Sequence, residues 1–302
     1  MSSPAFPALS RASGPRIGTV LANLGHGSAA AIRERLPWGF ESFQLAFKNT
    51  LAGTDLEKLA DETVDALADS GAVISCLGIY GNSLAADAHG AEVRLILREM
   101  IEIAPRFGTD LVCCFAGRVT GAGIPDSIPR FAEVFSEMAR VAEENGIRIA
   151  FENCVQGGTW ASGDRNIAHN PDAWRLMFDA VPSKALGLEW EPAHQLCQLI
   201  DPRPQVAEWG SRIFHLHGKD AQIRHDLIER HGAFGSQRFA FHRFPGLGDS
   251  HWPRLISDLT AAGFAGSIDI EGGHDPVYRG GREMDGQLLA LRHLKASRGG
   301  PL

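Results

Sequence analysis

The sequence predicts a single (β/α)8 barrel over residues 1–302, with about 1–15 and 297–302 as flexible termini. Three observations carry that prediction. A chain of 302 residues with 44% hydrophobic and 22% charged content is large enough to bury one substantial α/β core. Eight short apolar runs alternate with amphipathic stretches from one end to the other, as parallel strands joined by helices do. Eight such repeats fit a closed barrel, whose usual size is about 250 residues. The rival is an open doubly wound sheet, whose dinucleotide-binding form needs G-x-G-x-x-G after its first strand. Here that strand leads into Asn23-Leu24-Gly25-His26-Gly27, where only two glycines match. The barrel is preferred, and no NAD is expected.

The strand-like runs are Ile17–Ala22, Ser42–Phe47, Ala72–Tyr80, Asp110–Ala116, Arg148–Glu152, Ala185–Glu191, Arg212–His217 and Ser267–Glu271. Each is short, apolar and bounded by Gly, Asn, Asp or Pro, the pattern of a strand buried on both faces. Between them, Asp55–Ser70 reads as a helix that opens at Thr54 and stops at Gly71, residue types that favour those caps. Ala86–Ala104, Ile128–Asn145, Ala173–Val181, His251–Ala262 and Gly286–Leu294 follow as helices. The segment Arg224–Asp249 is left as a long loop, and long loops in compact domains are usually functional.

Composition excludes several classes. There are 29 basic and 36 acidic residues, a net charge of −7, and no Lys/Arg run, so nucleic-acid binding is not expected. No stretch approaches the length of a membrane span, and the first residues lack the apolar core of a secretory signal. The five cysteines, Cys76, Cys113, Cys114, Cys154 and Cys197, fall mostly in apolar runs and form no C-x-x-C pair. They read as reduced thiols of a cytoplasmic protein rather than a disulfide framework or zinc ribbon. A homo-oligomer is left open.

The chemistry gathers at strand ends, where barrels keep it. The fifth to eighth strands end in Glu152, Glu191, His217 and Glu271. Three carboxylates brought together repel unless a cation or proton compensates. An O3N donor set suits Mn²⁺ or Mg²⁺ better than structural Zn²⁺, which favours nitrogen and sulfur.

The same residues carry a family resemblance. Ile149-Ala-Phe-Glu-Asn153, Glu191-Pro-Ala-His194, His215-Leu-His-Gly-Lys-Asp220, Pro245-Gly-Leu-Gly-Asp249 and Ser267-Ile-Asp-Ile-Glu271 resemble the sugar phosphate isomerase/epimerase family. That family has the xylose-isomerase-like barrel and includes ketose 3-epimerases and inosose dehydratases. The likeness extends back through Gly78-Ile-Tyr-Gly-Asn-Ser83 and Phe115-Ala-Gly117. It implies a divalent ion, Mn²⁺ first with Mg²⁺, Co²⁺ or Zn²⁺ as alternatives, held by Glu152, Glu191, His217 and Glu271. It also implies that Glu152 and Glu271 move the proton beside a substrate carbonyl and that His194 contacts substrate. One departure stands out. Glu191 replaces the usual Asp, and its extra methylene carries the carboxylate about 1.5 Å further into the site.

The loops offer further substrate-binding candidates in His242, Arg243, Arg224 and Asn82, each with an alternative as a solvated or turn-holding residue. Trp38 and Trp190 are candidates to stack on a sugar ring, with core packing as the commoner role. Lys219 shares the inward parity of His217; a cation paired with Asp220 or Glu191 is preferred over a Schiff base. No phosphate-cradling G-x-x-x-x-G-K-[ST] loop is present, so a phosphate anchor is not expected. Two residues before each ligand lie Ala150, Glu189, His215 and Asp269, which alternation turns to the same side. Ionisable groups are unusual inside a barrel, so Glu189, His215 and Asp269 are expected to bond one another and steady the ligands, His215 bridging carboxylates. The alternative is a bulge or twist that turns one of them outward.

The expected function is therefore a metal-dependent sugar isomerase or epimerase acting on a small carbohydrate. A lyase that follows the same proton abstraction with β-elimination, on a 3-keto-glycoside or inosose-type substrate, is the alternative. A multi-zinc nuclease and a non-catalytic binding barrel fit the charge and the ligand set less well.

Overall fold

The computed structural model describes residues 14–299. In chain order the strands are β1 (Arg16–Ala22), β2 (Ser42–Phe47), β3 (Val73–Ile79), β4 (Leu111–Cys114), β5 (Arg148–Glu152), β6 (Leu186–Trp190), β7 (Ile213–Gly218), β8 (Asp220–Ile223), β9 (Ala240–Arg243) and β10 (Ser267–Ile270). Eight close a barrel in the order β1-β10-β7-β6-β5-β4-β3-β2, every neighbouring pair parallel. The predicted (β/α)8 barrel is what the chain forms. The other two, β8 and β9, pair antiparallel as a separate hairpin beyond the end of β7.

The helices are α1 (Ser28–Arg35), α2 (Leu56–Leu67), α3 (Ala88–Ile103), α4 (Ile124–Asn145), α5 (Pro171–Ala180), α6 (Pro192–Cys197), α7 (Arg203–Trp209), α8 (His225–His231), α9 (Trp252–Ala261) and α10 (Glu283–Arg298). All six helices expected from periodicity are present, with shifted ends. Asp55, not Thr54, caps α2, its side chain accepting from Lys58 N at 3.1 Å. α1, α6 and α7 were not expected. α1 offers only alanines and Ile32 as an apolar face, and three prolines, Pro192, Pro202 and Pro204, interrupt the pattern around α6 and α7. The expected loop Arg224–Asp249 in fact holds α8 and β9. Ser297 and Arg298, expected in a flexible terminus, belong to α10, and Arg298 Nη1 donates to Pro15 O at 3.0 Å. Residues 1–13 and 300–302 of the expected termini lie outside the described residues.

Side-chain alternation decides what enters the barrel. Phe151 turns outward onto Phe131 and Phe135 of α4, with ring centroids 5.5 and 4.8 Å away. Its neighbours Ala150 and Glu152 therefore turn inward. On β1, Gly18 is level with Asp269, and a Cβ there would collide with the Asp269 carboxylate and with Ser42. Glycine at 18 is what leaves an aspartate room inside a barrel. Two β-bulges act on the same layer. One skips Phe214, so that Glu189 of β6 pairs with His215 of β7; the other skips Ser75, so that Gln44 pairs with Cys76. Bulges re-aim side chains, and here the shift brings polar residues together rather than turning them out.

Candidate metal and active site

The mouth of the barrel opens into a cavity of about 1030 Å³ whose floor includes Glu152, His217, Lys219 and Glu271. Glu152 closes β5 and His217 lies one residue before the end of β7. Glu191 and Glu271 each stand one residue past their strands, Glu191 at the N-cap of α6. One donor atom from each of the four lies within 4.8 Å of the others.

The polar accounting identifies what this group lacks. Glu191 is fully buried, and among the described residues neither carboxylate oxygen has a hydrogen-bond partner. His217 Nε2 is engaged, 2.9 Å from Gln44 Oε1 and 3.0 Å from Glu189 Oε1. Its Nδ1 has no hydrogen-bond partner among the described residues and faces Glu152 Oε1 at 3.6 Å and Glu271 Oε2 at 3.4 Å. A buried carboxylate without hydrogen-bond donors is costly, and the open valences of Glu191 and His217 leave room for a divalent ion on that side. Three oxygens and one imidazole nitrogen, with the other imidazole nitrogen tied down, fit a divalent ion.

Lys219 is buried in the same site, its Nζ 2.8 Å from Glu271 Oε2 and 3.7 Å from Glu191 Oε2. Burial alone would lower its pKa, but the charges of Glu191 and Glu271 raise it well above the usual value. That favours the ammonium, a cation paired with the carboxylates, over a Schiff-base amine. Its sequence-expected partner Asp220 instead accepts from Trp252 Nε1 at 3.0 Å, Ser250 N and Ala221 N. The carboxylates separate in character. Burial raises Glu152, whereas at Glu271 the opposing charge of Lys219 and the hydrogen bond from His274 outweigh burial and hold it low. Glu191 is carried down to about 2, burial being overcome by the charges of His194 and Lys219.

Beneath lies a second polar layer. Glu189 Oε2 accepts from Tyr80 Oη at 2.7 Å, and Oε1 accepts from Gln44 Nε2 at 2.7 Å. His215 spans Glu189 Oε1 at 3.0 Å and Asp269 Oδ2 at 2.8 Å. Ser42 and Ser75 donate their hydroxyls to Asp269. All three side chains point inward, His215 bridges two carboxylates, and Ala150 is buried among Cys76, Leu111 and Cys113.

The xylose isomerase-like TIM barrel model matches residues 35–296. The chain belongs to that family. One relative of the family member is the uncharacterized protein YfiH of Bacillus subtilis (strain 168), 24% identical over 243 residues, 70% of this chain and 74% of that one. Among solved structures, the 3-keto-D-glucoside 4-epimerase YcjR of E. coli has a TM-score of 0.67 at 14% identity, covering 92% of this chain and 99% of its own. The probable 3-DHS dehydratase AsbF of Bacillus anthracis has a TM-score of 0.65 at 13% identity, covering 92% and 98%.

Against this xylose isomerase-like frame, the sequence-expected site residues divide. His194 and His242 line the cavity, their rings 5.0 Å apart. His194 Nε2 lies 2.9 Å from Glu191 Oε1 but out of line for a hydrogen bond. Burial, then the charges of Lys219 and His194, push His242 down to about 3, so it is a neutral imidazole. Three others do not line the cavity. Arg243 follows His242 on β9 and so turns the opposite way, to Asp275 Oδ2 at 2.8 Å. Arg224 forks onto Asp226 at the surface. Asn82 braces loops, donating to Arg118 O and Asp164 O and accepting from Leu84 N and Arg118 N. Trp190 is core, with Nε1 on Gln205, and Trp38 lies outside the cavity wall. Sequence reasoning missed Gln44, Tyr80 and His274. Gln44 sits inside an apolar strand run and His274 follows two glycines after the last strand, both readable as signals.

Proposed function

We propose that the chain is a divalent-metal-dependent sugar isomerase or epimerase that moves a proton beside a substrate carbonyl. The observation that carries this reading is the buried Glu191 carboxylate without a donor, facing the same point as the unpartnered Nδ1 of His217. Glu152, Glu191, His217 and Glu271 would hold the ion, which when bound supplies Lewis acidity toward the substrate oxygens. Mn²⁺ is the first choice and Mg²⁺ the next. Glu271, held ionised by Lys219 and His274, is placed to take the proton. Glu152, the second carboxylate at the mouth, would return one to the substrate. Two carboxylates paired in this way are suited to acid and base roles. Lys219 and His194 hold charge next to the substrate oxygens, and neutral His242 offers a donor or acceptor to a hydroxyl.

The wall formed by Leu21, Leu24, Phe47, Tyr80, Phe115 and Val155 is largely apolar. A cavity of about 1030 Å³ is at the upper end of the ~300–1,000 Å³ usual for ligand sites and exceeds what one sugar ring fills. That favours a second reading, in which the same carbanion expels a leaving group from a keto-glycoside or inosose-type substrate. Both readings are tested by incubating the metal-loaded protein with free ketoses and 3-keto-glycosides in D2O under NMR. Deuterium uptake beside the carbonyl with retained carbon skeleton supports epimerisation; loss of the aglycone supports elimination. No uptake and no product with any of Mn²⁺, Mg²⁺, Co²⁺ or Zn²⁺ overturns both.

A further inference from the structure

The layer beneath the mouth contains a donor set that the reaction above does not use. Cys76 of β3, Cys113 of β4, Glu189 of β6 and His215 of β7 each place one ligand atom within 4.8 Å of the other three. All four residues are at most 1% exposed. Four separate strands thus converge two thiols, a carboxylate and an imidazole on one point. We infer that these four residues form a second site, inside the barrel, for a zinc-type divalent ion held by two thiolates.

The support is geometric. A tetrahedral ion with bonds of about 2.0–2.3 Å keeps its donors about 3.3–3.8 Å apart, well inside the observed spread. His215 Nδ1 and Glu189 Oε1 are already 3.0 Å apart, a separation that needs little opening to admit an ion. The other nitrogen of His215 is backed by Asp269 at 2.8 Å, and Asp269 is fixed in turn by two serine hydroxyls. Carboxylate backing of this kind is how metal-ligating imidazoles are oriented, and here it holds Nε2 and leaves Nδ1 on Glu189. Glu189 is likewise steadied, by Tyr80 at Oε2 and by Gln44 at Oε1.

Donor chemistry separates the two sites. The mouth is oxygen-rich and suits Mn²⁺ or Mg²⁺, while thiolates select zinc. There is also a way in. A cavity of about 400 Å³ at the opposite end of the barrel, lined by Ser75, Thr109, Arg148 and Ser267 among others, reaches His215. Loading displaces the thiol protons of Cys76 and Cys113 to solvent.

The test uses the full chain and reads metal and sulfur rather than turnover. Wild-type protein, stripped under denaturing conditions and refolded, is titrated with Co²⁺ and followed by absorbance and elemental analysis. Two equivalents with a thiolate-to-cobalt charge-transfer band in the near ultraviolet are expected. The Cys76→Ser/Cys113→Ser variant should lose the band and one equivalent, whereas Glu271→Gln should weaken only the other. Saturation at one equivalent without the band in wild-type protein overturns the inference. If the double variant does not fold, X-ray absorption of zinc-loaded wild type decides: sulfur neighbours support the site and an all-oxygen/nitrogen shell removes it. Failure of turnover at the mouth leaves this result unaffected.

Discussion

His215 and His217 are two residues apart on β7, both buried and both inside the barrel, yet their hydrogen-bond accounts differ. At His215 each nitrogen meets a carboxylate within 3.0 Å. At His217 one nitrogen is tied to Gln44 and Glu189, while Nδ1 faces the carboxylates of Glu152 and Glu271 at 3.6 and 3.4 Å without a hydrogen bond. Type, burial and parity are shared, so none of them separates the two positions. What does is the open valence: among the described residues, His217 Nδ1 and both Glu191 oxygens lack a hydrogen-bond partner, whereas both His215 nitrogens have one.

The sharpest break in this comparison is at the mouth. Glu271→Gln and Glu152→Gln should each lower kcat by about 10²–10⁴-fold, the size of a lost acid–base group, with the circular dichroism spectrum unchanged. Full activity of either variant removes the assigned proton transfer. Asp269→Asn comes next. It keeps the shape but weakens the support behind His215, and through Glu189 the support behind His217. Metal affinity at the mouth should fall about 10–100-fold by isothermal titration while the fold persists. Normal affinity would mean that the lower layer does not reach the upper one.

The fold was legible because eight apolar runs alternate with helices and the first lacks the glycine loop of the rival open sheet; the strand-end glutamates and His217 stood out by position. The inward Glu189, His215 and Asp269 were also readable, from alternation. What sequence could not show is the pair of bulges, which depend on how neighbouring strands pack, and the direction of side chains in loops. Arg243 fails as a cavity residue only because β9 forms, and β9 lay within a run expected to be irregular. Asn82 was ambiguous for a related reason: an amide that staples four backbone groups and one that binds a hydroxyl look alike until the loops beside it are placed.

A smaller effect sharpens the same contrast through pH. Burial lowers the pKa of His217, but Glu189, Glu152 and Glu271 outweigh it and raise the value well above the usual one. In the metal-free protein the protonated ring therefore contributes stability that is fully present below the ordinary histidine pKa and is lost as pH rises through the raised value. The ion needs that proton gone. Metal affinity should thus climb by up to tenfold per pH unit through neutrality and above, for each proton released. A flat profile from pH 6 to 9 would mean that His217 is already neutral or is not a ligand.

The smallest effects belong to the arginines that the sequence placed at the substrate. Arg243 donates to Asp275, whose side chain is 1% exposed and also accepts from Phe244 N, Val277 N and Tyr278 N. Arg243→Ala should cost about 1–3 kcal/mol of stability, the range for a hydrogen bond to a charged group, with little change in KM. Arg224 pairs with Asp226 at the surface, where salt and side-chain entropy cancel most of the gain. Its alanine variant should leave the melting temperature, metal affinity and kcat/KM at wild-type values. A KM raised severalfold in Arg224→Ala, with metal affinity unchanged, would show that the β8–α8–β9 excursion closes over bound substrate and brings this guanidinium to it. That outcome would extend the site beyond the cavity wall and move the boundary between mouth and periphery outward along the excursion.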